Sequence, residues 1–293
     1  MNNLLISFLF VALYGSGFVA AKLGLPYAAP VPFLAFRFLI TGVILAIFCF
    51  VMKTPKPMSI KEFLHACIAG LLLIGTFSLG VFVSIDLGTS PATSSLIISF
   101  QPLLVGLFSH FIWKNTVSRS QWIGLLLGLT GITFIVFNQL GHTPLIGFFM
   151  SIVGLLGLTL GSLYQKRFCS NLNIFTNGMI HSLSSSVLCF LILPFVKSNV
   201  IWAPQFIGAL LWMSIGVSIC ALSLLYLLIK RIPISQVASL FYLMPVSTLF
   251  FSVIFFKDHL NLLNSIGILV TASAIFLVNR VKTIEKLMPA KNV

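Results

Sequence analysis

One arginine stands inside an apolar run, Arg37 in "PFLAFRFLITG" at 32 to 42, and few other groups in the chain are equipped for chemistry. The acids are Glu62, Asp86, Asp258 and Glu285, none paired with another at a spacing that would hold magnesium or share a proton. Zinc hydrolysis needs H-E-x-x-H, which is absent, and His65, His110, His142, His181 and His259 show no ligand spacing. Cys49, Cys67, Cys169, Cys189 and Cys220 are scattered and odd in number, so they read as buried thiols. The chain is therefore expected to be no enzyme, with no metal and no cofactor.

What remains is a set of polar groups embedded in oily sequence: Tyr14 and Ser16, Thr76 and Ser78, Ser94, Ser95, Ser99 with Gln101, Tyr164, Tyr226 and Tyr242. A hydroxyl or amide in hydrocarbon needs a partner, either a neighbouring helix or a water-filled cavity. A single serine is ordinarily interhelical glue. Gln101 and Tyr242 are larger and stand beside Pro102 and Pro245, each of which deletes a helix hydrogen bond and kinks the backbone, freeing the carbonyl of Ile98 or Phe241. Arg37 lies about 9 Å into its apolar run at 1.5 Å per residue. Two readings are open for it: it binds a substrate carboxylate or locks a gate, or it pairs with helix-end carbonyls or Asp86 to hold helices together. Substrate contact is assigned to Tyr14, Arg37, Ser78, Ser99, Gln101 and Tyr242, and helix kinks to Pro102 and Pro245.

The elements that must position these residues are membrane helices. Of 293 residues 59% are hydrophobic and 7% charged, with mean hydropathy +1.13, far from the roughly 25% charge of soluble domains. Ten apolar stretches, 3 to 22, 31 to 52, 62 to 85, 92 to 112, 120 to 137, 144 to 164, 176 to 196, 206 to 228, 235 to 256 and 261 to 279, are each long enough to cross a hydrocarbon core of about 30 Å. The first lacks a basic residue ahead of its apolar core and is kept as a span rather than a cleaved leader.

A net charge of +13 would suggest nucleic acid if it formed a patch on a soluble domain, but here the basic residues sit in loops. With the N-terminus inside, 13 of them fall on cytoplasmic segments and only Lys22, Lys197 and Lys257 on the opposite face. The positive-inside rule then places both termini in the cytoplasm of a plasma (inner) membrane, which requires an even number of spans. The partners expected are a lipid bilayer and a small-molecule substrate, with no nucleic acid.

The stretch "SSLIISFQPLLVGLFSHFIWKN" (94 to 115) aligns with "VASLFYLMPVSTLFFSVIFFKD" (237 to 258) at an offset of 143 residues, pairing Pro102 with Pro245, Phe108 with Phe251 and Lys114 with Lys257. At offset 144, Gly17 meets Gly161, Lys22 meets Lys166 and Arg37 meets His181. A unit of five spans is odd, so the second copy enters the membrane from the opposite side. The expected architecture is all-α and polytopic, ten helices in two inverted repeats, 1 to 140 and 141 to 293, around a midplane site.

The Gly-rich helices "IGLLLGLTGITFIV" and "IGILVTASAIFLV", with "LYGSGFVAAKLGL", "LAFRFLITG" and "LGTSPATSSL", resemble the EamA-type branch of the drug/metabolite transporter superfamily across essentially the whole chain. One departure is Lys114-Asn115 and Lys257-Asp258, where that family commonly has Gly-Glu. The resemblance implies ten helices, two inverted halves and outward movement of small metabolites, often amino acids or related compounds. A neutral cavity with Arg37 nearby suits a zwitterion better than a divalent ion. The alternatives are a channel or a non-transporting membrane scaffold; a selectivity filter or ring of charge, the usual mark of a channel, is absent.

Overall fold

A computed structural model describes residues 2–55, 59–113, 144–196 and 198–256, with ten single positions between 123 and 273. Apart from those single positions, the expected spans 120 to 137 and 261 to 279 lie outside them, as do Lys114-Asn115 and Lys257-Asp258. Within the described residues eight helical spans are long and apolar enough to cross a membrane.

The spans run as follows. Helices α1 (Asn3–Gly24) and α2 (Pro30–Val51) are continuous. The third span is α3 (Ile60–Gly70), a π-helical segment (Leu71–Thr76) and α4 (Phe77–Asp86). The fourth is α5 (Pro91–Ile98) and α6 (Gln101–Trp113). Then come α7 (Leu145–Phe168) and α8 (Ile174–Ile192). A further span joins α9 (Pro204–Leu211), a second π segment (Trp212–Ala221) and α10 (Leu222–Arg231). The last described one is α11 (Ile234–Ser239), a 3-10 turn (Leu240–Leu243) and α12 (Met244–Phe256).

Helix ends follow local chemistry. Ser90 caps α5 by accepting from Thr93 N at 3.0 Å, with Pro91 in the first position where its missing N–H costs nothing. Asn173 Oδ1 accepts from Phe175 N at 2.9 Å and Thr176 N at 3.3 Å to start α8. At the same end of the bundle Lys166 donates to the Ile229 carbonyl and Lys230 to that of Leu172, so two cations meet carbonyls that no helical N–H satisfies. Phe8, Phe50 and Phe195, 70%, 86% and 86% exposed, point outward as lipid-facing side chains do.

Two interfaces dominate. Helices α2 and α8 pack antiparallel: Ser186 Oγ donates to Ala35 O at 3.1 Å, Gly42 faces Leu183, and Leu45 faces Gly178. The third span lies in a trough on α7 floored by Gly154, Gly157 and Gly161. There Gly154 lies against the Phe77 carbonyl and Gly161 against the backbone of Leu73, so main chain touches main chain and dispersion replaces side-chain interdigitation.

The breaks in the spans recur at the repeat offset. Residues 71 to 76 of the first π segment correspond at 144 to 215 to 220, within the second. Pro102 and Pro245, expected to kink a helix, each stand second in a helix that restarts, α6 and α12. The first turn is where a proline removes no intrahelical bond, so the chain breaks the span ahead of the ring instead of bending around it. Between α1 and α2 the chain pairs with the stretch between α8 and α9: Ile201 N donates to Tyr27 O at 2.7 Å and Ala29 N to Asn199 O at 3.3 Å.

A Cβ on Gly80 would stand 2.5 Å from Gly154 N and 2.6 Å from Met150 O, both backbone, whereas one on Gly208 meets nothing within 4 Å. Gly80→Ala is expected to destabilise by about 1–3 kcal/mol through overpacking. Gly208→Ala should be neutral or slightly stabilising through helix propensity, and thermal unfolding of both variants in nanodiscs measures the contrast.

Candidate functional site

Three spans of the first half and one of the second enclose a cavity lined by Tyr14, Gly17, Phe18, Arg37, Phe77, Ser78, Val81, Phe82, Met213 and Val217. Helical spacing builds each wall. Tyr14, Gly17 and Phe18 are one face of α1, Phe77, Ser78, Val81 and Phe82 one face of α4, and Met213 and Val217 lie four apart in the second π segment. Its empty space, mouth included, is about 310 Å³. Gly17 leaves the α1 wall low, facing Val217 and Met213.

Arg37 does not snorkel. It is 4% exposed, and its Nε donates to Ser218 Oγ at 2.8 Å. The backbone around it is tied to the same π segment: Thr41 Oγ1 donates to Arg37 O at 2.9 Å and to Ser214 O at 3.1 Å, and Ser214 Oγ to Arg37 O at 3.3 Å. Its guanidinium carbon lies 5.3 Å from the Phe38 ring and 6.0 Å from that of Phe82. The anchor is thus a serine hydroxyl and aromatic faces, with no ion pair to Asp86. Among the described residues the two terminal nitrogens have no hydrogen-bond partner.

Two further polar groups face the same space. Ser78 is 2% exposed and its Oγ has no partner. The Tyr14 hydroxyl accepts or donates no hydrogen bond among the described residues, while its ring stacks on Phe77 at 5.8 Å and meets Phe241 edge-on. Tyr14, Arg37 and Ser78 are therefore brought together as the sequence pattern suggests.

Ser99, Gln101 and Tyr242 lie away from that lining. Ser99, just past the end of α5, donates its Oγ hydroxyl back to Leu96 O in the last turn of that helix at 2.5 Å. Gln101 Nε2 donates to Ser162 Oγ of α7 at 3.3 Å and its Oε1 is buried without a partner. Tyr242 is fully buried in the 3-10 turn before α12. Ser162 and Gln101 form a second polar point, on α7 and α6 rather than α1, α2 and α4.

A pair that sequence reasoning left unconnected sits at the repeat-related position. His181 Nδ1 and Tyr226 Oη are 2.9 Å apart, both fully buried, and His181 Nε2 has no partner. Positions 37 and 82 become 181 and 226 when 144 is added, so Arg37 beside Phe82 and His181 beside Tyr226 are contacts at the same offset. Ser218 was also missed, although its spacing of four from Ser214 places both on one helix face.

A family model described as the EamA-like transporter family matches this chain twice, over residues 2–137 and 145–280. The Bacillus subtilis protein YvbV, described as an uncharacterized transporter, is 28% identical over 287 residues, covering 97% of this chain and 93% of that protein. YedA of Escherichia coli K12, an uncharacterized inner membrane transporter, is 23% identical and covers 80% of this chain and 76% of its own. A crystal structure superposes with a TM-score of 0.77 at 19% identity, spanning 94% and 96% of the two chains, which shows a shared fold.

Ser218→Ala leaves a buried, charged N–H without its acceptor and is expected to cost about 1.5–3 kcal/mol, the value of a hydrogen bond to an ionised group. Ser218→Thr, which keeps the hydroxyl, should recover most of it, as read by thermal unfolding in nanodiscs.

Proposed function

The chain belongs to the EamA-like transporter family, a multi-pass integral membrane protein and a membrane transporter, and on that premise we propose that it is a secondary carrier exporting small metabolites, amino acids or related amphipathic compounds. The observation that carries this reading is the cavity itself, walled by residues 14 to 82 on one side and by Met213 and Val217 on the other, with a polar end at Tyr14, Arg37 and Ser78. A site walled by both halves of the chain changes shape when those halves move against each other, which alternating access requires.

In this reading the architecture is ten helices in two inverted five-helix repeats, 1 to 140 and 141 to 293, and both termini are cytoplasmic. Its supports are the double family match with starts 143 residues apart, the π segments and proline restarts at matching offsets, and the antiparallel packing of α2 on its repeat mate α8. Ser99, Gln101 and Tyr242 contribute a second polar station on the substrate route, where the unspent Oε1 of Gln101 offers an acceptor. The π segments, which have one residue more per turn than the α-helical ladder needs, are the places where a span can change register.

Purified protein in proteoliposomes loaded with single amino acids or related amphipathic compounds is expected to give saturable, counterflow-stimulated uptake of at least one of them. Arg37→Ala and Gln101→Ala should each lower it at least about tenfold, a loss of roughly 1.4 kcal/mol in transition-state or ligand binding. Non-saturating flux would identify a channel, and normal transport by folded variants would remove those residues from the site. A C-terminal green fluorescent protein fusion should fluoresce and an alkaline phosphatase fusion stay inactive if the terminus is cytoplasmic.

A further inference from the structure

Within that carrier reading, on which it rests, the charge inventory of the cavity narrows the ligand further. Arg37 brings one full positive charge to the wall, with Nε committed to Ser218 and both terminal nitrogens unspent. Ser78 Oγ is buried, without a partner, and lines the same space. The Tyr14 hydroxyl completes a short polar rim. Everything else around the space is hydrocarbon or aromatic: Phe18, Phe77, Val81, Phe82, Met213 and Val217. Among the described residues no acid is in the lining; Asp86 is exposed, a turn beyond Phe82 at the end of α4.

We propose that this cavity selects an amphipathic monocarboxylate that carries no fixed ammonium group, such as an aryl-alkanoic acid or an amino acid whose amine is absent or acylated. The two free guanidinium nitrogens form the planar fork that matches a carboxylate, and a hydroxyl from Ser78 satisfies a remaining lone pair. A phosphate or dicarboxylate would bring a second negative charge with no second cation in the lining to meet it. An α-ammonium group would be held close to Arg37 in a low-dielectric space, repelled by it and offered only hydroxyls and ring faces in compensation. The apolar wall takes the body of the ligand, and removing that body from water supplies the rest of the affinity.

The test compares compounds with one shared body: 3-phenylpropionate, L-phenylalanine, phenethylamine and 3-phenylpropanamide, titrated against thermal unfolding of the full-length protein in nanodiscs. Ligands that bind the folded state raise its melting temperature by mass action. Phenylpropionate is expected to act at concentrations at least about tenfold below phenylalanine, with the amine and the amide giving no shift. Ser78→Ala should weaken phenylpropionate several-fold, Arg37→Lys should weaken it further, and Arg37→Gln should abolish the shift, each variant first shown to unfold cooperatively without ligand. Equal or tighter stabilisation by phenylalanine, any stabilisation by phenethylamine, an unaltered response in Ser78→Ala and Arg37→Gln, or no shift with phenylpropionate up to about 10 mM, where a millimolar site would be filled, overturns the assignment. Because the readout is binding, selective stabilisation by phenylpropionate upholds the assignment even if vesicles show no flux, which would instead defeat the carrier reading; transported phenylalanine with no phenylpropionate binding does the reverse.

Discussion

A guanidinium held in an apolar bundle must be solvated by something other than water, and the polar skeleton of this protein is organised around that demand. Arg37 reaches Ser218, its own carbonyl takes hydroxyls from Thr41 and Ser214, and these four residues stitch α2 to the second π segment. Inserting a charged side chain at mid-helix costs about 2.5–3.5 kcal/mol on biological scales. One charge-assisted hydrogen bond and two ring faces offset part of that, and the unspent nitrogens face the cavity. Tyr14 and Ser78, whose buried oxygen likewise lacks a partner, line the same cavity.

The second half answers the same positions with a different chemistry. Where the first half sets Arg37 beside Phe82, the second sets His181 beside Tyr226, a pair in which one imidazole nitrogen is satisfied and the other is not. The backbone around the two pairs is alike, with a π segment in the third span and another in the span that ends in α10. Only the first of these pairs reaches the cavity: Arg37 and Phe82 are in its lining, whereas His181 and Tyr226 are not.

Much of this was legible because hydrocarbon is an unforgiving solvent. Length and apolarity alone locate the eight described spans, whose ends fall within a few residues of the expected ones, and a lone arginine or a mid-span tyrosine announces itself by its cost. The glycines of α7 read as packing positions and lie against backbone. What was illegible depends on neighbours. Nothing in "WMSIGVSICA" says that Ser218 looks across to another helix while Ser214 also bonds its own Leu210 carbonyl, since either is ordinary for a membrane serine. The π segments carry no proline or sequence mark, and arise from how the helices fit. Nor does the sequence say that Ser99 bonds the Leu96 carbonyl and Gln101 bonds Ser162 of α7, away from the Arg37 lining.

The backbone pair between the α1–α2 and α8–α9 connections has a mechanical meaning. Two main-chain hydrogen bonds, from Ile201 and Ala29, join distant stretches of chain at one end of the bundle and depend on no side chain that mutation could remove. Such a clasp ties the two connections together through main chain alone. The trough on α7 holds the third span by main-chain contact and resists sliding in the same way. Helix α1 and the second π segment meet instead through a ring and a hydroxyl, Trp212 Nε1 donating to Ser16 Oγ, and both carry cavity residues.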